Sequence, residues 1–175
     1  MSIYPKDNAV GVDAEINRFI RIIDKQLNTV GGWDIDIYHK IYREYMNDKA
    51  YPYAFVGGKD YQEVFVNDKS NGEVGFYLTT TRTIDTALSV NCDVIFSIDL
   101  DKIDNGSLQR EDEKAILLAL EAVDKCSDVT SVKTGLDNVF KGFSTKDIKR
   151  GDMQPFLNFS FSIEIEYNKN YCYGM

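Results

Sequence analysis

The sequence has little from which to build a familiar catalytic centre. Of its 175 residues one is a histidine, His39. A Ser–His–Asp or Cys–His site would have to use it, and no G-x-S-x-G elbow is present. A lone histidine among tyrosines, in "DIYHKIYRE", reads as structural. "FVGGKDY" sets Gly57 and Gly58 before Lys59 but lacks the first glycine of a P-loop, and Asp60 stands where Ser or Thr is needed. It reads as a turn. The three cysteines, Cys92, Cys126 and Cys172, have neither CxxC nor finger spacing, so no metal finger or redox pair is expected, only reduced thiols in a cytosolic protein. No apolar run approaches the roughly 18 residues that a membrane helix needs. The opening "MSIYPKDNAV" has no basic stretch followed by an apolar one, so no secretory signal is expected.

Basic charge is also short. Twenty Lys and Arg face 28 Asp and Glu, for a net charge of −8 and a pI near 4.7. Phosphate-gripping surfaces need clustered cations, and these cations are dispersed. Stacking of single-stranded bases on aromatics wants a basic groove too. An acidic protein remains compatible with DNA that slides past without sticking.

Hydrophobic residues make up 43%, enough for one domain with a sizeable core. Val12, Ile16, Phe19, Ile20, Ile23 and Leu27 recur at helical spacing and predict an amphipathic helix from Val12 to Leu27, broken by "TVGG". A second helix is expected from about Ile35 to Met46, capped by Asp34. "YPYAFVG" is extended. "YQEVFV" and "EVGFYLTTT", separated by "NDKSNG", read as two strands of a hairpin with a protruding loop at Asn67–Gly72. "CDVIFSIDL" is a further strand. "REDEKAILLALEAVDKC" is a helix with acids in its first turn and Lys125 in its last. Apolar residues cover most of its circumference, which predicts cover on more than one side. A short strand near Val129–Lys133 and a short helix or turn near Leu136–Phe140 follow. "DMQPFLNFSFSIEIEY" then alternates. Leu157, Phe159, Phe161, Ile163, Ile165 and Tyr167 share one face, expected to pack on the Ala115–Val123 helix. Asn158, Ser160, Ser162, Glu164 and Glu166 share the other, expected to meet solvent or a lumen. The whole reads as a single α+β domain over 1–175 with a largely antiparallel sheet packed with an N-terminal helix and a central amphipathic helix. A short N-terminal arm (1–11) and an aromatic C-terminal tail (168–175) flank it.

The best metal candidate is "DLDKIDNGSLQRED". With Gly106 at the sixth position of a calcium loop, Asp101 takes the first, Asn105 the fifth and Asp112 the twelfth. The third is Ile103, which offers no oxygen. A strand end and an acidic helix start explain the same residues, so neither a metal nor any other cofactor is expected. Eleven tyrosines and ten phenylalanines suit wet interfaces. Tyr167, Tyr171 and Tyr173 are candidate subunit-interface residues, because so short a tail cannot bury its own aromatics. Asn67 and Asn71 in the hairpin loop are further candidates, and Glu164 and Glu166 are candidates for an acidic lumen or solvent face.

The order of these elements over about Val12–Tyr167, with "GDMQPFLNFSFSIEIEY" as a closing strand, resembles the small neck and tail-terminator proteins of tailed bacteriophages. That resemblance implies a homo-oligomeric ring, commonly sixfold or twelvefold, around a DNA channel in the virion. The ring would be made in the host cytoplasm and would adjoin portal, neck or tail proteins, without chemistry or a membrane. Two other classes fit the residues. One is a small-ligand-binding protein or enzyme with an acidic site at Asp99, Asp101 and Asp104, joined by His39. The other is a monomeric adaptor that binds another protein through its aromatic tail.

Overall fold

The computed structural model describes residues 1–79, 83–84, 88–103 and 111–167, the backbone alone for 83–84. The fold is α+β: an N-terminal helix, a mostly antiparallel mixed sheet and an internal long helix. Helix α1 (Val12–Ile23) starts after Gly11, whose φ of 59° is open to glycine, and carries Asp13 and Glu15 in its first turn. It runs on as a π-helical turn from Asp24 to Val30. The strands are β1 (Asp36–Met46), β2 (Lys49–Phe55), β3 (Tyr61–Glu63), β4 (Gly72–Leu78), β5 (Thr83–Ile84), β6 (Leu88–Asp99), β7 (Val129–Thr134) and β8 (Phe156–Tyr167). Helices α2 (Leu100–Ile103), α3 (Asp112–Asp124) and α4 (Leu136–Val139) complete the described elements.

The sheet order is β3-β2-β1-β4-β6-β8-β7, with β5 paired to β6. β1 and β4 run parallel and the other named pairs antiparallel. Its spine is the β6–β8 ladder, continuous from Leu88 opposite Tyr167 to Asp99 opposite Phe156. Phe96 stacks on Phe159 with centroids 4.8 Å apart, and Phe161 meets both edge-on. Such cross-strand aromatic pairs are the unit of sheet stabilisation. The expected apolar face of β8 is therefore buried. α1 and α3 lie together on that face and share one core with it. The opposite face holds a second, smaller core of Tyr38, Ile41, Val64, Phe65, Ile95, Phe140 and Ile148.

Four expectations are corrected. Residues 36–46 form strand β1, not a helix, and Asp34 has a φ of 55° and caps nothing helical. Ile and Tyr dominate the segment and favour a pleated surface. Asn47 and Asp48, with φ of 49° and 60°, make the tight two-residue turn that pairs Met46 with Lys49. Second, "YQEVFV" and "EVGFYLTTT" do not form a hairpin. β3 pairs with β2, and β4 inserts between β1 and β6. Phe65 has a φ of 67°, which ends the strand and turns its ring into the second core.

Third, α3 is covered on one side only. It packs through Ala115, Ala119 and Ala122 while Leu117 is 60% exposed and Leu118 41%. The small residues at i, i+4 and i+7 let the helix lie close to the sheet, with Val123 buried beside them and Ile116 and Leu120 at the margin, so Leu117 and Leu118 are the ones left outside. Fourth, the polar face of β8 is not uniformly wet. Asn158 and Ser160 are buried, Asn158 against the segment that precedes β8, and only Glu164 and Glu166 are exposed.

The stacked rings give the first expected outcome. Phe161→Ala removes a fully buried ring and should cost about 3–5 kcal/mol, read by urea denaturation. A loss under about 1 kcal/mol would place Phe161 outside the cooperative core.

Candidate functional site

Asp99 closes β6, is buried, and lies 3.5 Å from Lys102. Asp101 is exposed and Ile103 is buried against the main core. Asp104, Asn105 and Gly106 lie outside the described residues. No group of three or more His, Cys, Asp or Glu that could hold a metal occurs among the described residues. His39 sits on β1 beneath α1, fully buried, with Nε2 3.2 Å from the Asp13 carbonyl. A carbonyl only accepts, so Nε2 carries the proton, and Nδ1 is buried with no hydrogen-bond partner among the described residues. Burial pushes its pKa down to about 4, more than the nearby Asp13 raises it. Asp13 pairs with Lys40 at 2.6 Å and with Lys6 at 3.5 Å. Burial pulls the Asp13 carboxyl up, but those two cations outweigh it and hold it below its ordinary value. Among the described residues no hydrogen bond or ion pair joins His39 to Asp99 or Asp101.

The other proposed site residues are placed as follows. Tyr167 is buried in its own chain, its ring close against Gly11. Tyr171 and Tyr173 lie outside the described residues, as does Cys172. Asn67 is exposed and its carboxamide accepts from the Lys69 N–H, while Asn71 donates to the Trp33 carbonyl. The N-terminal arm is tied to the sheet. Tyr4 N–H donates to the Ile37 carbonyl, and the Tyr4 ring stacks on Tyr38. Cys92 and Cys126 are free and buried. Burial pushes the Cys126 thiol up to about 12 and the Cys92 thiol well up too, which keeps both protonated and unreactive.

Two features were not read from the sequence. The first is a buried ion pair. Arg150 Nη1 donates to Glu73 Oε2 at 2.9 Å, with both side chains buried. Arg150 Nη2 donates to the Asn67 and Ser70 carbonyls, both at 2.7 Å. Glu73 Oε1 also accepts from the Tyr38 hydroxyl and the Phe65 N–H. Burial pulls the Glu73 carboxyl up against Arg150 and these donors, and the adjacent charge and burial push the Tyr38 phenol far up. The pair ties Glu73 to three separate segments, through Arg150, Tyr38 and Phe65. The partners are 77 residues apart in sequence, in "NGEVGF" and "IKRGD", and nothing local in either signals burial.

The second feature is an aromatic surface at the β3 end of the sheet. Beyond Ile41, β1 leaves β4 and pairs with β2 alone. On this projecting ribbon Tyr45 is 64% exposed, and Tyr42, Met46 and Tyr61 are exposed as well. Tyr61 meets Tyr42 and Phe55 edge-on at 5.6 and 5.9 Å, with Lys6 and Lys40 over the Tyr42 ring. The signal was available in the alternating aromatics around Asn47–Asp48. At the opposite end of the sheet Val132 of β7 is exposed, as are Leu117 and Leu118 on α3, which packs against β8 and β7.

No protein-family model, curated protein or solved structure matches this chain.

Two outcomes follow from the buried charges. Arg150→Ala leaves the Glu73 carboxylate buried and uncompensated and should cost about 3–5 kcal/mol. The double variant Glu73→Gln, Arg150→Met should lose less than the two single changes together, read by a double-mutant cycle. Strict additivity would mean that the pair is not coupled. For His39 the folded pKa of about 4 lies below the ordinary 6.5, so the unfolded chain takes up the proton first. The stability it contributes is whole above pH 6.5 and is lost as pH falls towards 4, on the order of 3 kcal/mol. The His39→Gln variant should flatten that stretch of the stability–pH profile, and an unchanged slope would place the effect on other groups.

Proposed function

We propose that this chain is a structural subunit of a homo-oligomeric ring at the head–tail junction of a tailed bacteriophage, a neck or tail-terminator ring through which DNA passes. The observation that carries the reading is the pair of unlike apolar surfaces at opposite ends of one sheet. The aromatic ribbon of β1, β2 and β3 stands at one end, and Leu117, Leu118 and Val132 stand at the other. A ring closes through heterologous contacts, in which one patch meets a different patch on the neighbour. A tyrosine-rich ribbon and an apolar helix face suit the buried centre of such a contact.

The placement at a phage head–tail junction rests on the resemblance of the element order and the closing strand. The net charge of −8 supports it, because a channel wall must not hold DNA. Glu164 and Glu166, exposed on β8, are the carboxylates that this reading turns to the lumen or to solvent. Portal, neck or tail proteins would adjoin the ring within the virion, and the ring itself performs no catalysis.

Native mass spectrometry and negative-stain microscopy at high protein concentration test the reading. The wild type should form closed rings. Tyr45→Ser with Tyr61→Ser, and separately Leu117→Glu with Leu118→Glu, should each leave a folded monomer. Mixing the two variants should give a one-to-one pair and nothing larger, because one intact patch of each kind remains. Deleting 168–175 should leave the circular dichroism spectrum unchanged and weaken assembly. A wild type that stays monomeric, or patch variants that assemble normally, would overturn the proposal.

A further inference from the structure

On the face of the sheet opposite α1 and α3, a groove of about 820 Å³ opens between the strands and the segment around α4. Its floor includes Tyr77 on β4 and Asp93 on β6, which are register partners. Arg43, Lys133, Asn138 and Lys141 stand around it. The volume is that of an ordinary small-molecule site, about 300–1,000 Å³. In a protein with a net charge of −8, the charged groups lining this groove are three cations and one carboxylate.

That carboxylate is already neutralised. Asp93 Oδ2 accepts from Lys133 Nζ at 2.7 Å, and Asp93 Oδ1 accepts from the Ser162 hydroxyl at 2.6 Å. Arg43 and Lys141 are therefore left as cations without a carboxylate partner among the described residues. Arg43 is also held in place. Its guanidinium lies over the rings of Tyr77 and Phe143, at 5.3 and 5.4 Å from their centroids, and those rings meet edge-on. Gly142, with a φ of 87°, makes room for it: a Cβ there would lie 2.6 Å from Arg43 Nη2. A guanidinium is a planar fork that fits carboxylate and phosphate oxygens two at a time, and here it is oriented before any ligand arrives.

We propose that this groove binds the oxyanion of a small molecule, a carboxylate or a phosphate. Arg43 engages it with two N–H donors and Lys141 supplies the second charge. The site is independent of the ring reading and would stand if that reading failed.

The test is an NMR titration of the intact chain at constant ionic strength, with inorganic phosphate in one arm and succinate in the other. Either probe should shift the resonances of Arg43, Tyr77 and Lys141 saturably, and which one does so assigns the ligand's anionic group. Arg43→Gln should weaken binding about tenfold or more, as loss of a charge-assisted hydrogen-bonded fork does. Lys141→Gln should weaken it less. Gly142→Ala retains every charge but displaces the guanidinium, and it should follow Arg43→Gln. Each variant's fold is checked by circular dichroism, and the Arg43 and Lys141 changes lie at exposed positions. Saturation by neither probe, or affinity that survives Arg43→Gln unchanged, would overturn the proposal.

Discussion

The Glu73–Arg150 pair is the constraint on which the second face of the sheet depends. Glu73 stands on β4, between β1 and β6, where a buried carboxylate without partners would be intolerable. Its two oxygens collect Arg150, the Phe65 N–H and the Tyr38 hydroxyl. Arg150 in turn fixes the loop at Asn67 and Ser70, and its own carbonyl accepts from Asn158 Nδ2 on β8. Asp152, two residues on, accepts from the Leu136 N–H at the start of α4. One ion pair thus joins β1, the approach to β4, the segment before β8 and, through Asp152, α4. An apolar core tells residues to be inside but is forgiving about which neighbour they meet. A buried charge accepts one arrangement only, and that gives the covering segment a unique seat.

The two faces of the sheet accordingly solve different problems. The helical face is apolar and is held by area, through Phe96, Phe159 and Phe161 under α1 and α3. Among the described residues no long helix covers the other face. Its cover is irregular chain, whose polar backbone groups need partners, and Glu73, Arg150, Asn158 and Asp152 supply them. Two of the five polar side chains of β8, Asn158 and Ser160, are buried on this face. Asn158 meets the covering segment, and the strand becomes wet only at Glu164 and Glu166.

What could be read from the sequence follows the same division. β6, β8, α1 and α3 carry their period in their own residues, so local pattern finds them. β1 escaped because tyrosines four apart mimic a helix face, and its partner β2 carries Pro52. The decisive residues there were Asn47 and Asp48, whose left-handed turn makes sense only once both flanks are taken as strands. The expected hairpin of residues 61–81 failed in its pairing, not in its strands, because β3 pairs with β2 and β4 lies between β1 and β6, with Glu73 held by Arg150 in "KRGD". Pattern reports which face a residue takes, whereas ion pairs between distant segments leave no local trace. Arg43 and Gly142 were illegible for the same reason, being far apart in sequence and meaningful only together.

The projecting end of β1 remains the point where the fold is least self-sufficient. From Tyr42 to Met46 every residue is exposed, and two-stranded ribbons are marginal on their own in water. Cross-strand contacts such as Tyr42 with Tyr53, and the edge-on packing of Tyr61 on Tyr42 and Phe55, hold the ribbon's shape without covering it. Its aromatic area therefore stays in contact with water, at a cost of about 25 cal/mol per Å² of apolar surface. The chain tolerates that cost at one end of the sheet and tolerates a smaller one on α3 at the other. Ala115, Ala119, Ala122 and Val123 carry the packing of the helix, and Leu117 and Leu118 keep much of their surface in water. Apolar side chains thus stay exposed towards both ends of a sheet whose middle is tied by an ion pair.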